Sequence, residues 1–223
     1  KKEILQLPEP LILVMEGASH ANWVTDIQEY MIVPRKKKFS TFADALRVGS
    51  EIFHTIHDVL NEKGYTANTG FEGAFAPNEL KSNQEAFDII IEGIEKAGYK
   101  PEEEIYIAVD VAASEFFDPS TKNYILKSED KTFTQQEWVD FQNTLFTKYP
   151  VHIVEDPMDQ EDWDGWKKVM ETFGEKKQIV GDDLLTTNTK RIQQAGQIKA
   201  VNSVLIKPNQ IGTITETMRA MRM

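Results

Sequence analysis

The chain is 223 residues long, 40% hydrophobic and 27% charged, enough to bury a substantial core as one domain, 1–223. Its formal charge of −11 argues against a nucleic-acid surface and against anionic membranes, and no apolar run approaches the length of a membrane-spanning helix. The absence of cysteine removes disulfides, thiolate nucleophiles and zinc–cysteine sites, and is compatible with a reducing compartment.

Residues 1–8 read as the tail of a linker, followed by an apolar run from Leu11 to Met15 and a small-residue turn, Glu16 to Ala21. A second strand is expected over Asp26–Val33, then a basic loop, Pro34–Lys38. Ser40 or Thr41 caps a helix to about Asn61, with Phe42, Leu46, Val48, Ile52, Ile56 and Leu60 as its apolar stripe and Gly64 as its stop. The long loop Tyr65–Asn78 is rich in turn formers, and a loop of that length inside a compact domain usually has a function. Ser82 opens the next helix and Gly98 closes it.

From Glu104 to Lys207 four apolar runs alternate with helical segments: EIYIAVD ending at Asp110, VHIVEDP with Glu155, QIVGDD with Asp182 and VNSVLIK closing on Lys207. A small excursion, read as a hairpin, interrupts the series around EFFDPSTKNYILKSED. Helices are expected in TQQEWVDFQNTLFTKY, DWDGWKKVMETFG, TKRIQQAG and TITETMRAM. Such alternation is the signature of parallel strands, whose carboxyl ends form one rim where chemistry is placed. Three carboxylates on a common rim suit a hard divalent cation such as Mg²⁺. A partly desolvated lysine beside the bound metal is expected to have a lowered pKa from both effects, as a proton-accepting base requires. Each acid taken singly also fits a turn residue or helix cap.

The strings GASHA, DIQEYMIVP, EGAFAPN, IAVDVAASEFF, VEDPMDQEDW, QIVGDDL and LIKPNQIGT, in this order over nearly the whole chain, resemble enolase (phosphopyruvate hydratase). The resemblance implies an α/β fold, most of the enolase-type TIM-like barrel. The N-terminal lid domain and the last barrel strands are expected to fall outside this chain, which starts at Lys1-Lys2 and stops in a helical pattern at Met223. It further implies a cytoplasmic, homodimeric glycolytic lyase that interconverts 2-phosphoglycerate, a small phosphorylated acid, and phosphoenolpyruvate with Mg²⁺. On the matched motifs, Asp110, Glu155 and Asp182 would bind the metal, with Glu155 and Asp182 also facing substrate. Lys207 would be the base and Glu72 the acid that expels hydroxyl. Gln28 and Glu29 would support that acid and the substrate, and His20 would contact substrate from a mobile loop. Glu29 beside Glu72 would keep Glu72 protonated.

Departures from the family pattern cluster around the same centre. The family's GDEGG reads Gly70-Phe71-Glu72-Gly73-Ala74, placing an apolar ring beside the acid and a Cβ where positive φ is expected. HADNN reads His20-Ala21-Asn22-Trp23-Val24, ING reads Met15-Glu16-Gly17, and Pro208 removes a strand N–H beside the base. Two readings follow: a working enolase, or an enolase-like structural or interaction component.

Overall fold

The computed structural model describes residues 7–223; most of the expected linker lies outside them. Strands β1 (Ile12–Glu16) and β2 (Glu29–Pro34) pair antiparallel, joined through a one-turn 3₁₀ helix, Ala18–Ala21. β2 starts at Glu29 rather than Asp26. The Asp26 and Ile27 N–H groups donate instead to Asn83 Oδ1, each at 2.9 Å, which holds this segment out of the ladder.

Helix α1 (Phe42–Glu62) is capped by Thr41, whose side chain accepts from the Asp44 N–H, and Gly64 follows with φ +72°. Its buried stripe is Ala45, Val48, Ile52, Ile56, Val59 and Leu60. Phe42 and Leu46 were expected in it but are 38% and 51% exposed. Leu46 lies two residues before Val48, which on a helix is the opposite side. Ser82 caps α2 (Asn83–Lys96), and Gly98 ends its C-terminal turn at φ +86°. The two helices touch at Gly93, where a Cβ would come within 2.4 Å of Ile56 Cγ1.

Strand β3 (Ile105–Asp110) is followed by the excursion, which is more than a hairpin. β4 (Phe117–Asp118), β5 (Asn123–Leu126) and β6 (Lys131–Phe133) form their own antiparallel sheet in the order β4-β5-β6. A Thr134–Glu137 capping box opens α3 (Gln135–Lys148). Then come β7 (Val151–Glu155), α4 (Trp163–Phe173), β8 (Gln178–Gly181) and α5 (Thr189–Ile198). β9 (Ser203–Val204), α6 (Pro208–Ile211) and α7 (Ile214–Ala220) complete the described chain. β9 has only two residues, so Lys207 does not end a strand as expected. It is the N-cap of α6, and Pro208 takes the first helical position, where a missing N–H costs nothing.

The main sheet runs β1-β2-β3-β7-β8-β9; its first two pairings are antiparallel and the rest parallel. Six strands leave β1 and β9 as edges, so the barrel is not closed in the described residues. Alternation along the strands sorts side chains between two faces. Tyr30, Ile32, Ile107, Val109 and Val154 join the large core with the helices. Met31, Val33 and Ala108, with Leu13, Tyr106 and Ile153, form a separate cluster contributed by strands alone. Glu29, Asp110 and Glu155 fall in step with this second set, so the acids belong to the face that the helices do not cover.

Candidate functional site

Register brings the acids together. Asp110 pairs with Glu29 on one side and Glu155 on the other, at the carboxyl ends of β3 and β7. Asp182 follows β8 directly, and Lys207 follows β9 after a short loop. The Lys207 ammonium makes an ion pair with Asp182 Oδ2, and Gln210 Nε2 donates to Asp182 Oδ1 at 2.9 Å. Gln28 Nε2 donates to Asp110 Oδ2 at 3.0 Å while its Oε1 accepts from Ser19 Oγ at 3.1 Å. Asp110, Glu155 and Asp182 are all buried.

Crowding anions away from water raises their proton affinity. Burial, then Asp156, Asp182 and Glu29, pushes Glu155 up to about 9. Asp110 is held well above the carboxylate range by burial and then by Glu155, Asp156 and Glu29. Burial pulls the Lys207 ammonium down, but the Asp182 hydrogen bond and the Asp182, Glu155 and Asp110 charges outweigh it. Its pKa is therefore raised when carboxylates alone surround it, whereas the expected lowering counted on a metal's charge as well as on desolvation.

A second group flanks the acids. One ligand-type atom each from His20, Glu29 and Glu72 lie within 4.8 Å of one another. His20 Nδ1 is 3.7 Å from Glu29 Oε1 and, though buried, has no hydrogen-bond partner among the described residues. Glu29 is pushed up to about 7 by burial first and by Glu72 next. Glu72 itself is exposed on the loop. Phe71 does not shield it: that ring is 84% exposed and lies 5.9 Å from the His20 ring. Ala74 carries no backbone strain either, because the positive φ, +92°, falls on Gly73. Between the His20 turn and this loop lies a cavity of about 580 Å³ lined in part by Ser19, Asn22, Asn68 and Phe71.

Asp156 was not singled out by sequence reasoning. Asp156 is buried next to Glu155, and its oxygens accept the Asp182 and Asp183 N–H groups at 3.0 and 2.8 Å, tying the end of β7 to the loop after β8. Burial raises it to about 7. Asp156, Asp182 and Asp183 also place ligand atoms within 4.8 Å of one another. Strained backbone gathers here as well: Ala112, Asp156, Thr186 and Thr187 all have φ between +41° and +54°. β-branched residues rarely adopt such angles. Thr187 is held in place because its hydroxyl accepts the Lys207 N–H at 2.8 Å.

A family model described as the enolase C-terminal TIM barrel domain matches residues 4–223. The chain belongs to that family. Within the enolase family frame, the donor set fits Mg²⁺ on chemical grounds. It is all oxygen and buried, and burial and then neighbouring carboxylates raise the proton affinity of Asp110 and Glu155, a cost that a bound cation would relieve. Asp182 is common to the sequence-derived set and to the Asp156–Asp182–Asp183 group, so it is the shared member of either arrangement. No helix of the described residues is long and apolar enough to cross a membrane.

Proposed function

We propose that the chain carries the catalytic half of an enolase, the Mg²⁺-dependent reversible dehydration of 2-phosphoglycerate to phosphoenolpyruvate. The observation that carries this reading is the delivery of Asp110, Glu155, Asp182 and Lys207 from successive strands to one end of one sheet, with Lys207 in contact with Asp182.

When bound by Asp110, Glu155 and Asp182, Mg²⁺ supplies positive charge where a substrate carboxylate gains negative charge. Lys207 takes the proton from C2. To do so it must first be neutral, and the ion pair with Asp182 opposes that, so loosening of this pair belongs to the active state. On the other side, Glu29 retains a proton near neutrality. The Glu29–Glu72 pair then holds one proton to give to the hydroxyl leaving C3, which departs as water as the C2–C3 double bond forms. Gln28, anchored to Asp110 and Ser19, orients this flank. His20, whose Nδ1 has no hydrogen-bond partner among the described residues, contacts substrate in this reading.

The same Lys207–Asp182 pair also favours a second reading, an enolase-like component whose base is locked in its protonated form. Formation of phosphoenolpyruvate from 2-phosphoglycerate, followed by ultraviolet absorbance with and without Mg²⁺, separates the two. No turnover above background from folded, Mg²⁺-loaded protein eliminates the enzyme.

A further inference from the structure

We propose that Glu16 is a positioning residue that fixes the 70–74 loop, and with it Glu72, against His20 and Glu29. The proposal rests on the reading of Glu72 as the acid of the elimination. Glu16 closes β1 and is wholly buried, yet no Lys, Arg or His pairs with it among the described residues. Its partners are loop amides. The Glu72 N–H points between its two oxygens, at 3.1 and 3.0 Å, and the Ala74 N–H donates to Oε1 at 2.8 Å. These amides flank Gly73, whose φ of +92° makes the turn. The loop closes so tightly over the carboxylate that a Cβ at Gly70 would lie 2.2 Å from Oε2.

A buried carboxylate with no countercharge is a costly way to fill space, but charge-assisted bonds to backbone N–H groups hold a loop strongly. On its far side the same loop is fastened by the Phe71 N–H, which donates to the His20 carbonyl at 2.9 Å. Glu72 therefore emerges between two anchors, one in the first strand and one in the turn after it. Displacing a reacting group by about 1 Å can cost a hundredfold in rate.

The test compares the full chain with Glu16→Ala, Glu16→Gln and Gly70→Ala, the last of which displaces the Glu16 carboxylate while leaving every charge in place. Turnover of 2-phosphoglycerate, urea unfolding, amide exchange and the NMR signals of the His20 ring are measured on each. Expected for Glu16→Ala and Gly70→Ala are a fall in kcat of about a hundredfold with KM little changed, and exchange protection lost at residues 70–74 alone. The His20 ring signals shift as Phe71 moves. Glu16→Gln, which keeps the shape and one acceptor oxygen, retains more activity than Glu16→Ala. Unchanged kcat per folded molecule, or protection lost evenly across the chain, overturns the proposal. If the parent chain shows no turnover, the assigned activity fails separately, and the His20 signals and loop exchange still decide the role of Glu16: unmoved in Glu16→Ala and Gly70→Ala, they overturn it.

Discussion

At the scale of single residues, burial and then mutual repulsion raise the proton affinities of Asp110, Glu155, Asp156 and Glu29. Lys207→Ala removes the proposed proton acceptor and its ion pair with Asp182 but leaves all the acids in place. Its expected effect on phosphoenolpyruvate formation is a loss of about a thousandfold or more in kcat, with Mg²⁺ binding retained by calorimetry. Asp156→Asn disturbs the two backbone bonds that seat Asp182 and Asp183, and should lower Mg²⁺ affinity about ten- to a hundredfold in the same calorimetric measurement. Asp110 and Glu155 were legible in the sequence because each terminates an apolar run, and such runs announce strands. Asp156 was not, although it is the very next residue after Glu155. Its role is to accept N–H groups from the loop after the neighbouring strand, and no local pattern encodes a partner 26 residues away. The ion pair of Lys207 with Asp182 was hidden for a related reason: desolvation could be read from the apolar run, but a partner 25 residues away could not.

At the scale of elements, most boundaries followed from caps and glycines: Thr41, Ser82 and Thr134 start helices, and Gly64 and Gly98 lie just past helix ends. The failures share a cause. Asp26 was taken for a strand residue because hydrophobic alternation runs through it, whereas Asn83 captures the backbone there. VNSVLIK looked like a full strand, but two ladder residues suffice before the chain turns into α6. The α1–α2 contact at Gly93 gives the clearest test of packing. Gly93→Val forces side-chain atoms into Ile56, and should destabilise the chain by about 1–3 kcal/mol in urea unfolding while the 2-phosphoglycerate KM stays unchanged.

At the scale of the whole molecule, the buried acids set the pH response. Asp110, Glu155, Asp156 and Glu29 bind protons more tightly folded than unfolded, so the stability they contribute is complete below the ordinary carboxylate pKa. It is lost as pH rises through about 7 and then about 9. Exposed pairs such as Glu51–Arg47, with shifts of the opposite sign, are screened by solvent and add little. In the absence of metal the urea midpoint should therefore fall between roughly pH 5 and 9, and the gain on adding Mg²⁺ should grow over the same span. A midpoint that rises with pH in chelator contradicts the placement of these acids. The division of the sheet into a helix-covered side and an acid-bearing side has an evolutionary corollary. Val109 and Asp110, or Val154 and Glu155, are chain neighbours that answer to different demands. A saturation scan scored separately for abundance and for turnover should trace a two-residue rhythm along β3 and β7, with tolerance in one readout alternating against tolerance in the other.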